Sequence, residues 1–266
     1  MGEFHDLAEI PLNDPGRAWG NLGYWRDATS YSAACEALAR LLGDSLELDG
    51  DSRVFDAGFG CGDQLLLWLE HYRVRDLYGI NLSRSQTEHA RRRLGALGQA
   101  SVASRLLEFD IDSSQAWALP GDSAINCVIA LDCAYHFPSL RRFLEKAAAL
   151  LPPGGKLGLS TFIPGRRGSV AERTILASML RASRVPRENL LDARALCAAA
   201  ESAGFGAAQT IDIGEHVLPG FNAFQRRFTG DLPARSRLKF ALAGSFLDWA
   251  YRRHLLGYVV LRATRS

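Results

Sequence analysis

The residues best suited to chemistry in this sequence form a glycine-rich segment, DSRVFDAGFGCGDQ, at positions 51–64. Three glycines alternate with other residues at Gly58, Gly60 and Gly62, so the backbone can turn sharply and approach a ligand without a Cβ in the way. A β-rich run precedes them, and a helix is predicted to begin near Asp63. The free N–H groups at the start of that helix favour a negatively charged ligand group above the turn. The segment therefore predicts a nucleotide-binding turn.

A second group of reactive residues follows a predicted strand in the segment ALDCAYHF, at positions 130–137. Asp132 stands at the carboxyl end of that strand, where open α/β sheets bind their ligands. His136 follows about one helical turn later, and an imidazole with a pKa of about 6.5 can take a proton from a hydroxyl. The alternative is that His136 is a packing residue beside the phenylalanine that follows it. Asp132 and His136 are the catalytic candidates, and Tyr135 and Cys133 are weaker ones.

The elements that must position these residues alternate between strand and helix. The sequence predicts strands at Arg53–Ala57, Leu77–Ile80, Arg105–Phe109, Ile125–Leu131, Lys156–Phe162, Ala207–Ile213 and Gly257–Ala263. It predicts helices at Tyr31–Leu42, Gln64–His71, Ser85–Leu97, Leu140–Leu150, Asp192–Ala203 and within Phe221–Tyr251. Seven strands with intervening helices predict an α/β fold with a doubly wound, mostly parallel seven-stranded sheet.

Composition limits the class of protein. The 266 residues are 47% hydrophobic, which is enough to bury a full core in one large domain. A formal net charge of +2 is too small to make nucleic acid an obligatory partner. The five cysteines are scattered, so neither a disulfide framework nor a metal site is predicted. No apolar run reaches the roughly 20 residues of a membrane span, and the amino terminus lacks a basic-then-apolar signal, so we expect a cytoplasmic protein.

The segment DAGFGCG, from Asp56 to Gly62, resembles the first motif of class I S-adenosylmethionine (SAM) methyltransferases. Its spacing is GxGxG, whereas a dinucleotide-binding fingerprint has GxGxxG. The LLPPGG before the fifth predicted strand and the Gly204-Phe205 turn before the sixth also resemble this family. The resemblance covers about residues 20–215 and is to the tocopherol, sterol and ubiquinone type that acts on small molecules. It implies SAM as the cofactor, with its amino-acid tail held by the glycine loop.

The resemblance also implies cofactor contacts after other strands. Most family members carry an acid that holds the ribose where this chain has Asn81, but a subset departs from this and uses a downstream glutamine, which Gln86 matches. Asp110 matches the acid that contacts the adenine amine, and Ile111 would offer its backbone N–H to the ring. Trp117 is expected either to cover the adenine or to be a buried structural residue, while Asn81 and Asp110 are alternatively turn or capping residues. The expected cofactor-binding residues are Tyr24, Asp56, Gly58, Gly60, Gly62, Asn81, Leu82, Gln86, Asp110, Ile111, Trp117 and Leu131.

Near the acceptor, two further segments resemble the family. ALDCAYHF resembles the "ALE…HH" segment of small-molecule O-methyltransferases, which implies that His136 is a general base. In the amino-terminal NLGYW, Tyr24 matches an aromatic residue that closes over the methionine part of SAM. Alternatively, Tyr24 and Trp25 pack against the following helix as a hydrophobic staple.

Two segments, residues 1–50 and 164–190, lie outside the alternation of strands and helices. In family members with small-molecule acceptors, elements at the corresponding places cover the active site. We therefore expect a helical lid at residues 1–50 and a SAM-binding domain at 51–266. That domain is expected to carry a cap at 164–190, a polar segment rich in arginine, and further helices at 216–256.

The carboxyl-terminal helices carry an excess of positive charge. Between Phe221 and Leu256 there are seven basic and two acidic residues beside stripes of aromatic residues. Such a face could contact an anionic membrane surface or an acidic acceptor. A solvated helix face is the favoured alternative.

Together these observations predict an enzyme, a SAM-dependent methyltransferase with a small, lipophilic or aromatic acceptor. O-methylation is favoured, and C- or N-methylation remains open. One alternative is an NAD-dependent oxidoreductase, which the GxGxG spacing and the lack of a Tyr-x-x-x-Lys pair disfavour. Another is a non-catalytic partner subunit that keeps the SAM fold.

Overall fold

A computed structural model describes residue 7 and residues 10–119, 124–166 and 168–266. In these ranges the chain forms a seven-stranded sheet of order β3-β2-β1-β4-β5-β7-β6. β7 runs antiparallel to both of its neighbours, and the other pairs are parallel. The strands are β1 (Arg53–Ala57), β2 (Asp76–Asn81), β3 (Leu106–Glu108), β4 (Cys127–Ala130), β5 (Lys156–Pro164), β6 (Phe205–Asp212) and β7 (Leu256–Arg265). The predicted mostly parallel α/β sheet is confirmed.

Nine α-helices lie within the same ranges. They are α1 (Tyr31–Ser45), α2 (Asp63–Glu70), α3 (Arg84–Ala96), α4 (Ala100–Ala103), α5 (Leu140–Leu150), α6 (Val170–Ala182), α7 (Ala193–Ser202), α8 (Gly214–Arg227) and α9 (Ala234–Arg252). Helix α6 falls in the segment predicted as a polar cap, and only Leu180 of this helix is buried. None of the helices in the described ranges is long and apolar enough to cross a membrane.

The sheet separates two hydrophobic cores because alternate side chains of a strand point to opposite faces. Val54 of β1 belongs to one core with residues of α1, α2, α3, α8 and α9. Phe55, its neighbour, belongs to the other core with residues of α5 and α7. Burial on both faces explains why the strands read as continuous apolar runs.

The parallel strands also fix where a site can form. β1, β2 and β4 are neighbours, so the loops that follow Ala57, Asn81 and Ala130 emerge at the same edge of the sheet. The loop after β1 is tied to β2 because the Gly58 N–H donates to the Ile80 carbonyl at 2.7 Å. The chemistry-bearing segments of the sequence are thereby brought together.

Candidate active site

A cavity of about 380 Å³ opens at the carboxyl ends of β1, β2 and β4. We call residues 58–64 the glycine wall and residues 131–138 the acceptor wall. The strap is the amino-terminal segment 18–22. The cavity is lined by Ala18, Trp19, Gly20, Asn21, Gly58, Phe59, Gly60, Cys61, Gly62, Asp63, Gln64, Ile80, Asn81, Leu82, Ser83, Gln86, Phe109, Asp110, Ile111, Leu131, Asp132, Cys133, Tyr135, His136, Phe137, Pro138 and Arg184.

The glycine wall turns through three positive φ angles, +89° at Gly58, +55° at Gly60 and +95° at Gly62. Side chains rarely adopt this conformation, which explains the alternate glycines. A Cβ at Gly60 would meet no protein atom within 4 Å, whereas one at Gly58 would lie 2.6 Å from Cys133 Sγ. Gly62 caps α2, so the free N–H groups of the first turn of that helix lie in the glycine wall. This wall is suited to a carboxylate.

Asp56 lies beneath the glycine wall and does not line the cavity. It is completely buried and accepts hydrogen bonds from Gln64 Nε2 at 2.8 Å and Trp68 Nε1 at 2.7 Å. These bonds join β1 to α2 and hold the turn in place. Burial raises the pKa of Asp56 to about 6, and the two hydrogen bonds oppose this shift.

Asn81 and Gln86 meet at the end of β2. Asn81 Nδ2 donates to Gln86 Oε1 at 3.1 Å and to the Ser83 carbonyl at 3.4 Å. Ser83 also caps α3 by accepting from the Gln86 N–H at 3.4 Å. Between them, Leu82 lines the cavity with 69% of its surface exposed. An apolar side chain this exposed inside a cleft is suited to contact with a ligand.

Asp110 and Ile111 line the same side of the cavity after β3, where Asp110 Oδ1 accepts from the Asp112 N–H at 2.8 Å in a turn. Trp117 does not line it. The Trp117 ring packs against Phe55 at 5.1 Å, and its Nε1 donates to the Ile111 carbonyl at 2.7 Å. Trp117 therefore supports Ile111 from behind.

On the acceptor wall, His136 ends a short 3₁₀ turn, Ala134–His136, after β4. His136 Nδ1 lies 3.4 Å from the Arg184 carbonyl oxygen. Asp132 also lines the cavity, and burial raises its pKa to about 6, against the hydrogen bonds that it accepts. Leu131 completes the predicted residues on this wall and is buried.

Tyr24 lies outside the cavity. Its backbone N–H donates to the Ala34 carbonyl at 2.8 Å, and its ring meets the His216 ring edge-on at 5.3 Å. Trp25 stacks on Phe224 of α8 at 5.0 Å. These ring contacts anchor the predicted lid to α8, whereas the staple alternative expected packing against the following helix, α1. Of the described residues 10–50, only strap residues 18–21 line the cavity, and Arg184 alone does so from 164–190.

Sequence reasoning missed the strap and Tyr258. No glycine spacing or strand end marks Trp19, although it is buried and its indole nitrogen has no hydrogen-bond partner among the described residues. Tyr258 lies in β7, far along the chain; its hydroxyl donates to Asp132 Oδ1 and lies 3.0 Å from Ser160 Oγ, whose hydroxyl can donate to it. Only the tertiary structure brings Tyr258 to the site. In the described ranges, no cluster of three or more His, Cys, Asp or Glu residues could hold a metal ion.

The cavity residues fit SAM. The open space beside Gly60 and the free N–H groups of α2 suit its carboxylate, and the exposed apolar Leu82 suits contact with a flat ring. Trp19 lines the same cavity, and its indole nitrogen is a donor without a partner in the part of the chain that the structure describes. Fold and cavity together define a nucleotide-cofactor site at the carboxyl edge of an α/β sheet.

Comparisons with known proteins identify that class. A family model described as a methyltransferase domain matches residues 24–210, more than half of the chain. Methyltransferase GfsG of Streptomyces halstedii is 25% identical over 268 residues, which cover 99% of this chain and 93% of that protein. The 27-O-demethylrifamycin SV methyltransferase of Amycolatopsis mediterranei is 33% identical over 151 residues, covering 54% of this chain and 53% of that protein.

A solved structure has the same fold. Geranyl diphosphate C-methyltransferase from Streptomyces coelicolor A3(2), in complex with Mg²⁺, geranyl diphosphate and S-adenosyl-L-homocysteine, superposes with a TM-score of 0.73 at 17% identity. The match covers 99% of this chain and 98% of that one. The chain belongs to the methyltransferase-domain family and is a class I, SAM-dependent methyltransferase. The expected cofactor is thereby confirmed, and nothing supports the oxidoreductase alternative.

Proposed function

We propose that this methyltransferase transfers the methyl group of SAM to a hydroxyl group of a small, lipophilic or aromatic acceptor, with His136 as general base. One observation carries the proposal. His136 Nδ1 faces the Arg184 carbonyl oxygen at 3.4 Å, and a carbonyl can only accept a hydrogen bond. With Nδ1 carrying the proton in this pair, the imidazole is the neutral tautomer in which Nε2 is the basic nitrogen.

The composition of the acceptor wall supports the lipophilic acceptor. Tyr135 and Phe137 flank His136 in the cavity lining, and Pro138 continues it. The rings of Tyr135 and His136 are 4.4 Å apart, and Tyr135 also packs on Phe162 at 4.3 Å. Aromatic walls bury apolar ligands and keep water from the reacting atoms. A relative named 27-O-demethylrifamycin SV methyltransferase is consistent with this acceptor class.

The sulfonium of SAM supplies a methyl group that is already activated for in-line displacement. The chain's residues then have two tasks, alignment and proton removal. The glycine wall is proposed to hold the amino-acid tail, Asn81 and Gln86 the ribose, and Asp110 with Ile111 the adenine. His136 Nε2 is proposed to take the proton from the acceptor hydroxyl as the acceptor oxygen bonds to the methyl carbon; the sulfur–methyl bond breaks in the same displacement, and S-adenosylhomocysteine leaves.

The acceptor atom can be identified with isotopically labelled SAM. The protein is incubated with SAM carrying a ¹³C-methyl group and a panel of hydroxylated polyketides that includes 27-O-demethylrifamycin SV. We expect a labelled methyl ether, recognised by its carbon chemical shift. Label on carbon or nitrogen in the product would overturn O-methylation while leaving the family assignment intact.

The role of His136 can be tested by His136→Ala, with His89→Ala as the matched control. His89 is a half-buried histidine of α3 that does not line the cavity. We expect His136→Ala to lower kcat by roughly 10²- to 10⁴-fold and to leave affinity for S-adenosylhomocysteine nearly unchanged. The wild-type rate should rise with pH through the pKa of the base. Near-full turnover in the His136→Ala variant would show that the acceptor uses another base or none.

A further inference from the structure

Asp132 has an unusual backbone conformation for its position. Its φ is +54°, in the left-handed region that non-glycine residues rarely adopt. The conformation is held in part by the Asp132 N–H, which donates to Ser160 Oγ at 2.8 Å. Strain of this kind persists only where surrounding contacts require it. The contacts of the carboxylate show what the strain achieves.

The two oxygens of Asp132 face different parts of the molecule. Oδ1 accepts from the hydroxyl of Tyr135, at 3.0 Å, and from the hydroxyl of Tyr258 in β7. Oδ2 accepts from the backbone N–H of Leu22 in the strap, at 2.6 Å. One carboxylate thus joins the strap to the cavity wall. A carboxylate that already accepts three hydrogen bonds is poorly placed to remove a proton from an acceptor.

A second buried carboxylate holds the other end of the strap. Asp63, the first residue of α2, accepts from the Ala18 N–H at 2.8 Å. Asp63 also pairs with Arg93 Nη1 at 2.5 Å, and Arg93 Nη2 donates to the Gly16 carbonyl at 3.0 Å. The strap is therefore fixed at Ala18 beside the glycine wall and at Leu22 beside the acceptor wall. The residues between these two points line the cavity.

We propose that Asp132 is a positioning residue that, with Tyr258, latches the strap across the cofactor site and so slows release of the cofactor. The strap precedes residues 24–210, the part that matches the methyltransferase family. The latch rests on the placement of SAM in this cavity and is independent of the acceptor atom. It replaces the catalytic role predicted for Asp132 from its place after β4.

Two substitutions of Asp132 separate a latch from a base. In Asp132→Asn, the amide oxygen can still accept from the Leu22 N–H while the NH₂ group donates to a tyrosine hydroxyl, which can accept. In Asp132→Ala the Leu22 N–H of the strap loses its hydrogen-bond acceptor. We expect Asp132→Ala to raise the dissociation rate and the Kd of S-adenosylhomocysteine by roughly 10- to 100-fold, since charge-assisted hydrogen bonds are lost. Asp132→Asn should recover most of this loss and should lower kcat by less than about tenfold.

Tyr258→Phe and Thr161→Val supply the second variant and its control. Tyr258→Phe removes the hydroxyl on the wall side of the latch and keeps the ring, so we expect dissociation of S-adenosylhomocysteine to accelerate by roughly 2- to 10-fold. Thr161 is buried in β5, and its hydroxyl has no partner among the described residues. Thr161→Val therefore removes an equally buried hydroxyl without touching the latch, and dissociation should not change. Thermal unfolding checks that each variant folds.

The outcomes are distinct. A loss of kcat by 10²-fold or more in Asp132→Asn, with unchanged S-adenosylhomocysteine binding, would identify Asp132 as the base and overturn the latch. Unchanged dissociation in both Asp132→Ala and Tyr258→Phe would also overturn it. If the wild-type protein fails to bind S-adenosylhomocysteine, the cofactor placement is wrong, and the latch with it. Label on an unexpected acceptor atom would refute only the proposed O-methylation.

Discussion

The glycine wall and the acceptor wall face each other across one cavity but are assembled differently. The glycine wall comes from seven consecutive residues, and each of its three positive φ angles belongs to a glycine of that segment. The acceptor wall depends on partners far away in the sequence. Asp132 meets Leu22 and Tyr258, and His136 meets Arg184.

The difference teaches which part of a site tolerates change. A turn defined by glycine conformations can be carried by one short segment. A wall held by long-range hydrogen bonds depends on strands and helices that are distant in the sequence. A change in one of those elements can therefore displace the residues of the wall. We expect disruption of the glycine wall to affect cofactor affinity directly. Disruption of the acceptor wall should affect turnover or cofactor release.

Gly60→Val should have the largest effect on the glycine wall. A branched side chain would enter the open space of the cavity, and we expect affinity for SAM to fall by more than about tenfold, measured by calorimetry. Gly98→Val is the matched control, because Gly98 also has a positive φ, +76°, and open space around its Cβ position but lies outside the cavity. Both variants carry similar backbone strain, about 1–2 kcal/mol. Equal SAM affinity in the two variants would show that the glycine wall is only a turn.

Asp56→Asn should have a smaller effect, on stability, because Asp56 supports the glycine wall from below. The pKa of Asp56 is raised from about 3.8 to about 6 in the fold, so the folded protein binds this proton more tightly than the unfolded chain does. The stability from this group is therefore fully present below about pH 4 and is lost as pH rises through about 6. Relative to wild type, the free energy of unfolding of Asp56→Asn should increase as pH rises from 4 to 7.

Denaturant unfolding at several pH values measures this difference. Asp27→Asn is the control, because the Asp27 side chain is 92% exposed and ion-paired only at 4.0 Å. A constant difference between Asp56→Asn and wild type across the pH range would contradict the raised pKa.

The smallest effect concerns the carboxyl-terminal helix α9, which has no counterpart on the glycine wall. Leu238 and Leu242 of α9 are 60% and 56% exposed near Arg235 and Arg237. We expect this face to be solvated, so the protein should remain in the supernatant when vesicles rich in anionic lipid are sedimented at physiological salt. Pelleting that disappears in a Leu238→Ser, Leu242→Ser double variant would instead reveal a membrane contact.

Much of the fold was predictable because its signals are local. Apolar runs marked the strands, and the prolines and glycines of LLPPGG marked the end of α5 before β5. The boundaries of β6 and β7 shifted by one to two residues, where cross-strand pairing and not propensity sets the ends. Helix α6 was missed because its apolar residues do not form one buried stripe, and only Leu180 of this helix is buried.

The predicted cofactor-binding residues also divide into those that line the cavity and those that do not. Gly58, Gly60 and Gly62 line the cavity, as do the predicted residues after β2, β3 and β4, because the end of a parallel strand is a position that the sequence order defines. Asp56, Trp117 and Tyr24 do not line it. Their side chains are engaged by Trp68, Phe55 and His216, contacts that no spacing in the sequence encodes.

By itself, the sequence determined the sheet, the glycine turn and the family of this protein, since each depends on residues close together in the chain. The tertiary structure decided what His136 and Asp132 contact, and the roles that we propose for them are argued from those contacts. Those roles depend on a carbonyl at Arg184, an N–H at Leu22 and a hydroxyl at Tyr258. Hydrogen bonds act over about 3 Å, and only folding brings such distant groups within that distance.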